Sequence, residues 1–365
     1  MTAPWQPLRG IRVLELALFL PGPYAGRELA RLGANVIKLE PPGGDPARRL
    51  SADMFRVNNC GKRSICVDLK RAAASLLVDA LAQWADVVIE GFRPGVAERL
   101  GVGYARLAEV NPALVYCALS GYGQQHPKRR HPGHDLTYLA AAGALHTPGH
   151  WHGPPRRGAV PVADLGGALY GVSAILAALL ERVSTGHGRY IDVSLTAAAT
   201  ALAGARGTTE STPPRGHLHP SNDLFTCADG ELIAAGLIED HFWAGFVQRL
   251  ETEHPALAAP ELATLEQRQA SGDALHALLE RVFSTRPRGA WLEFAAESGL
   301  PLEAVRTPWE AARDLTHAGD CYPAINTPEV LPAPASPGEH SAEILRELGF
   351  RDTDRQRFAT QGVLA

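Results

Sequence analysis

Short apolar runs alternate with stretches whose apolar residues recur every three or four positions through the first half of the chain. IRVLEL (11–16) is apolar at most positions and predicts a buried strand. In YAGRELARLG, Leu29 and Leu32 share one face and Gly33 marks the end, which predicts a helix; NVIKLE then predicts a second strand. SICVDL, the helical AAASLLVDALAQWA, and the runs DVVIEGF and LVYCALS carry the alternation onward. Strands separated by helices in this way predict an α/β fold, a mainly parallel sheet covered on both faces. An Ala/Leu/Gly-rich helix from about Leu165 to Val183, the strand RYIDVSL and another Ala-rich helix, expected to be deeply buried, close the unit.

The texture then changes. GTTESTPPRGHLHPSN is rich in Thr, Pro and His without periodicity, and reads as a boundary or an active-site loop. DLFTCADGELIAAGL is two alternating runs joined by Asp-Gly, a hairpin signal, and amphipathic helices follow to about Ala318. The Pro-rich NTPEVLPAPASPGEH links to the short helix SAEILRELGF and a polar tail. The expected division is a large domain over 1–205, a connecting loop over 206–222, a small α+β domain over 223–325, and a linker with a C-terminal segment returning to the large domain over 326–365.

Composition narrows the function. At 365 residues the chain can bury a large core, and its formal net charge of -4 is spread without long runs of either sign. The only dense basic cluster, Lys128-Arg129-Arg130, is short, so nucleic acid is not expected as a partner. Five widely spaced cysteines without C-x-x-C suggest neither a disulfide framework nor a thiolate zinc site, and fit a reducing cytoplasm. The N-terminus lacks the order of a signal peptide, and the apolar stretch Leu165 to Leu180, interrupted by Tyr170, Gly171 and Ser173, is expected to be too short to span a bilayer. Fourteen histidines follow no ligand spacing, and no metal is expected.

Glu40 at the end of the second strand resembles the acidic residue of a dinucleotide fold, but LFLPGPYAG lacks G-x-G-x-x-G, and Pro23 removes an amide donor. Lys38, Lys62, Arg63, Arg93 and Arg99 stand near strand ends; they either converge on a polyanion or are scattered solvated charges. Acid/base candidates are His134 beside Asp135, Asp164 and Glu239. Asp164, just before an apolar helix, is expected to act as an N-cap, a role compatible with catalysis.

LRGIRVLEL, GPYAGRELARLGANVIKLEPPGGDPAR, NCGKRSICVDL, ADVVIEGFRPGVAERLG, PALVYCALSGYG, GHDLTYLAAAGAL, PVADLGGALYGVSAILAALLERVSTGHGRYIDVSL and CADGELIAAGLIEDHFW resemble, in order, the class III coenzyme A transferase family. That family includes formyl-CoA transferase, carnitine CoA-transferases and alpha-methylacyl-CoA racemase. The resemblance implies a Rossmann-like large domain, a smaller domain, an interlocked homodimer, and coenzyme A bound as part of the thioester substrate with no tightly bound cofactor. It places Lys38, Lys62, Arg93 and Arg99 where the nucleotide and pyrophosphate of CoA are held; Lys38 and Cys60 stand where Arg is common.

Two chemistries divide the family. The resemblance to transferases makes Asp135 the nucleophile that forms an aspartyl-CoA intermediate, but the residue before it is His134, not Tyr or Phe, and residues 205 to 222 lack a glycine run. The racemase branch is similar in GHD, in Asp at 164 and in Glu at 239. On that reading His134 and Asp164 flank the carbon alpha to the thioester, Glu239 orients the imidazole, and Asp135 is a helix-start or positioning carboxylate. The expected activity is racemisation of 2-methyl-branched acyl-CoA, with CoA transfer as the alternative and CoA binding without catalysis as a third reading.

Overall fold

In the computed structural model, the described residues are 6–146, 149–153, 158–207, 210–211, 215–308, 310–311 and 332–364. They divide into two compact units, one drawn from Met1–Ala144, Gly158–Gly204 and Tyr322–Ala365, the other from Leu145–Arg157 and Ala205–Cys321.

The first unit runs β1 (Arg12–Glu15), α1 (Pro21–Arg31), β2 (Asn35–Glu40), α2 (Ala47–Leu50), α3 (Ala52–Asn59), β3 (Arg63–Cys66), α4 (Ala74–Trp84), β4 (Val87–Glu90), α5 (Val96–Arg99), α6 (Tyr104–Val110), β5 (Val115–Ser120), α7 (Asp135–Ala141), α8 (Val162–Thr185), β6 (Tyr190–Ser194) and α9 (Leu195–Gly204). The six strands are all parallel, in the order β3-β2-β1-β4-β5-β6, which is the doubly wound arrangement. Side chains alternate between two cores. Val13, Val115, Cys117 and Leu119 enter the one beneath α1 and α8. Leu14, Tyr116 and Ala118 enter the one that also holds Leu77 and Leu81 of α4.

Several expectations change. The helix expected from Leu165 is longer: α8 has 24 residues, and by length and composition alone it could cross a membrane. Its small residues Ala163, Gly167, Ala168, Gly171 and Ala178 are buried, so here one face serves as a core helix. The helix α9 is not deeply buried; only Leu195, Ala198 and Ala199 are.

At the carboxyl ends of β1 and β2 lies a buried ionic cluster. Lys38 Nζ meets Glu15 Oε1 at 2.9 Å and Asp45 Oδ2 at 3.1 Å, while Lys62 Nζ meets Glu15 Oε2 at 2.7 Å. Parallel register sets Glu15 against Lys38. Burial lowers the Lys62 ammonium to about 8 with Lys38 adding to the fall; for Lys38, burial is outweighed by Glu15 and Asp45, and the net shift is upward. A Cβ at Gly26 would fall 2.0 Å from Glu15 Oε2, so α1 passes the cluster only as glycine.

The described C-terminal segment packs on this unit through α13 (Ser341–Glu347) and α14 (Asp352–Thr360). Arg63 bonds Glu343 and Glu347, and Ile344, Leu345 and Phe358 join the core beneath α4. The residues expected as a polar tail therefore form a helix, because Phe358 is buried although its neighbours are polar.

In the second unit, the Asp-Gly turn joins β7 (Asn222–Thr226) to β8 (Leu232–Gly236), with Gly230 at φ +80°. A third strand, β9 (Leu302–Ala304), was not predicted; at three residues it carries too little pattern. The helices α10 (Asp240–Leu250), α11 (Leu265–Phe283) and α12 (Arg288–Ser298) cover the sheet around Phe225, Phe246, Phe283 and Trp291. Part of the segment expected in the large domain groups here instead. The Trp151 amide donates to Asp223 Oδ2 (2.6 Å) and its indole Nε1 to Asp273 Oδ1 (2.7 Å).

Removing one partner of a buried ion cluster leaves an uncompensated charge. Glu15→Ala should cost about 3–5 kcal/mol in urea unfolding. A loss below about 1 kcal/mol would show the cluster to be effectively solvated.

Candidate functional site

β5 ends at Ser120, and the chain reaches α7 through Gly133, whose Cβ would lie 2.4 Å from Tyr138 Cε1; glycine is what allows the approach. His134 is the N-terminal flanking residue of α7 and is exposed. Its amide donates to Thr137 Oγ1 (3.0 Å), and that hydroxyl donates to the His134 carbonyl (2.8 Å), fixing the turn that presents the imidazole.

Asp135 turns the other way. It is buried, and its Oδ1 accepts the Ala163 amide at 2.8 Å and the Asp164 amide at 3.3 Å. These are first-turn donors of α8, orphaned because the preceding residue, Pro161, makes no side-chain cap. Asp135 thus caps a helix other than its own, with its carboxylate at the positive end of the helix dipole.

The N-cap expected of Asp164 is therefore corrected. Asp164 lies inside the first turn of α8, and the capping carboxylate is Asp135. Burial pushes the Asp164 carboxyl up to about 7, with the nearby Asp135 adding to the rise. Among the described residues, no hydrogen bond to that carboxyl offsets this. A carboxyl poised near neutrality can give or take a proton at physiological pH.

Tyr138, which sequence reasoning missed, completes the group. Burial raises its hydroxyl to about 12; Asp164 and Tyr122 add to the rise and Arg93 opposes it, so these four side chains share one neighbourhood. Tyr122 packs edge-on against Tyr138 with ring centroids 5.4 Å apart. The available signal was position: Tyr138 stands three residues after Asp135, one helical turn along α7.

The other expected ligand groups separate. Lys38 and Lys62 do not present ammonium groups to a ligand; both are buried and bonded to Glu15, where they brace the loops. Arg93 and Arg99 are exposed at the strand ends. A cavity of about 330 Å³ opens there, walled by Leu16, Leu18, Leu39, Val67, Phe92 and Leu100, with Lys70 at its side. Lys70, Leu69 and Leu100 continue into a second hollow bordered by Arg99. Among the described residues neither Lys70 nor Arg99 has a carboxylate partner, whereas Arg71 pairs with Asp68 and Arg106 with Asp79. The cavity lies beside the β1/β4 switch in strand order, where open α/β sheets bind ligands. Phe19, in the loop leaving β1, holds φ +65°, a strained conformation steadied by its amide donating to Asp45. Glu239 lies in the second unit, exposed at the head of α10.

Comparison with known proteins agrees with this layout. The model of CoA-transferase family III matches residues 8–345. An acetyl-CoA:oxalate CoA-transferase of Acetobacter aceti is 34% identical, covering 86% of this chain and 86% of that protein. An alpha-methylacyl-CoA racemase of Mus musculus is 31% identical, covering 94% and 93%. A crystal structure of a CAIB/BAIF family protein from Brucella suis superposes with a TM-score of 0.79 at 28% identity, over 94% of this chain and 99% of that one.

Two variants separate the carboxylates. Asp135→Ala should destabilise by about 0.5–2 kcal/mol through loss of the α8 cap, and Asp135→Asn, which keeps an acceptor oxygen, by less. Asp164 has its folded pKa above the unfolded value, so between 3.8 and about 7 the native state holds the extra proton and stability falls as pH rises. Asp164→Asn removes that penalty. Its melting temperature should exceed wild type by more at about pH 8 than at about pH 5; an equal gain at both would refute the buried-carboxylate account.

Proposed function

The chain belongs to CoA-transferase family III, enzymes that act on acyl-CoA thioesters, and on that premise we propose that it racemises 2-methyl-branched acyl-CoA by moving the proton alpha to the thioester. The observation that carries this reading is the division of labour between two carboxylates. Asp135 is committed to the α8 amides, and Asp164 carries a carboxyl near neutrality in the same turn. Inversion requires one group to remove a proton and another to return one on the opposite face, both exchanging near pH 7. His134 and Asp164 are that pair. As imidazole and carboxyl, neither needs a metal or a covalent intermediate to exchange protons.

The strain of forming an enolate falls on its oxygen. The Thr137 and Tyr138 amides are taken by the His134 carbonyl, which leaves those of Asp135 and Leu136, at the start of α7, as the candidate donors for it. Tyr138, kept protonated by burial, closes the side facing Asp164. At the other end of the ligand, the apolar cavity suits the adenine ring, and Lys70 and Arg99 suit phosphates. Between the cavity wall on β2 and the end of β5 lie three strand spacings, roughly 14 Å, which calls for an elongated ligand such as a CoA thioester. Homodimer formation is supported by apolar side chains left outward on α8: Leu169, Tyr170, Leu180 and Val183 are exposed.

The runner-up is CoA transfer, favoured by the transferase names of several relatives. Its nucleophile is then Asp164 rather than Asp135, because the Asp135 oxygen already accepts two amides. Attack by the Asp164 carboxylate on the thioester carbonyl would expel CoA thiolate and leave a mixed aspartyl anhydride; the thiolate then attacks the aspartyl carbonyl, releasing the first acyl group as its carboxylate and leaving an aspartyl–CoA thioester.

Incubation of one 2-methylacyl-CoA epimer in D2O should give alpha-deuterium exchange and loss of optical purity. His134→Ala and Asp164→Asn should each lower the rate by about 10²–10⁴-fold. The pH–rate profile should bend near 7, the value for Asp164, and that bend should vanish in Asp164→Asn. No exchange by the wild type, together with hydroxylamine capture of an Asp164 acyl group, would replace racemisation with transfer.

A further inference from the structure

We propose that the second unit carries a site for a divalent zinc ion, held by His152, His276 and Glu280. One ligand atom from each lies within 4.8 Å of the others. His276 and Glu280 are one helical turn apart on α11 and share a face, as i and i+4 residues must. His276 Nδ1 and Glu280 Oε1 stand 3.6 Å apart. Two ligands on a tetrahedral zinc at about 2.0–2.1 Å each are separated by roughly 3.3 Å, so this pair is already near ligand spacing, and an exposed His152 can complete the set by a small rotation.

The second observation is the state of His276. The ring is buried, and its Nε2 lies 3.2 Å from Asp223 Oδ2. Donation from Nε2 to that carboxylate assigns the proton there and leaves a bare lone pair on Nδ1. Nδ1 is buried, has no hydrogen-bond partner among the described residues, and lies 3.6 Å from the Glu280 carboxylate. A carboxylate holding the far nitrogen of a ligating imidazole is the usual outer support of a metal site. The His152 ring stands edge-on to His276 with centroids 4.6 Å apart, which brings the second imidazole to the same spot.

The surroundings prepare these residues. Asp223 also accepts the Trp151 amide, placing the chain just before His152. Gly272, at φ +43°, breaks α11 against the Trp151 indole, and the ligand helix starts afresh from Asp273. Two imidazoles and one carboxylate favour zinc over magnesium or calcium, which prefer all-oxygen shells. With three protein ligands and water in the fourth place, the ion would fasten residues 149–153 to α11. This inference does not depend on whether the chain racemises or transfers.

Tag-free, metal-stripped protein titrated with zinc chloride against a chromophoric chelator should bind one equivalent with affinity, and its melting temperature should rise. His152→Ala and Glu280→Gln, both changes at exposed side chains, should fold normally, yet each should lose at least about tenfold in zinc affinity and most of the thermal shift. Cobalt substitution should give the intense visible bands of a tetrahedral site in the wild type only. Failure of the wild type to bind an equivalent of zinc, or binding undiminished in both variants, would overturn the site.

Discussion

The acceptance of two α8 amides by the Asp135 carboxylate organises the candidate site. A 24-residue helix that begins after a proline needs its orphaned donors satisfied from outside, and Asp135 supplies this from the first position of α7. One bond pair thereby fixes the relation between two helices, exposes the residue before Asp135, His134, and sets Asp164 in the first turn of α8. It also places one buried carboxylate beside another. Asp164 is raised by its own burial first and by that neighbour second, so the helix cap and the raised carboxyl arise from one arrangement.

The sheet beneath serves the site by rigidity. All strands point the same way, so every carboxyl end and every following loop lies along one edge. Glu15, Lys38, Asp45 and Lys62 tie the end of β1 to β2, to the loop after β2 and to the residue before β3 in a buried cluster. Such a cluster is a weak source of stability by comparison with apolar packing, but breaking it is costly, and this makes it a strong constraint on loop position. The lysines expected to grip phosphates are used instead to hold the frame, and exposed cations further along, Lys70 and Arg99, border the hollow beside the cavity.

Periodicity made the first unit legible, because parallel strands buried on both faces read as continuous apolar runs and their helices carry clear faces. The hairpin from Asn222 to Gly236 was equally readable, since Asp229-Gly230 demands a positive φ that glycine provides. β9 was not readable because three residues hold no period, and α14 was missed because one buried phenylalanine anchors an otherwise polar helix. The size of α8 was underestimated for a related reason: Gly166, Gly167 and Gly171 look like breaks in a sequence, yet they lie inside the helix, and two of them are buried where it packs closely.

By itself the sequence determined the fold class, the alternation of the main strands and helices of the first unit, and the presence of His134, Asp135, Asp164 and Glu239 as groups able to move protons, since these follow from residue type and spacing. Which carboxylate does which work was decided only by tertiary structure. The roles of Asp135 and Asp164 depend on hydrogen bonds between residues 28 and 29 positions apart and on burial. The same holds for Lys38 and Lys62, whose charges are spent on Glu15, and for His152, His276 and Glu280, which meet across more than a hundred residues. Local pattern records what each side chain is. Its protonation and its partners are set by the dielectric and the neighbours that folding brings to it.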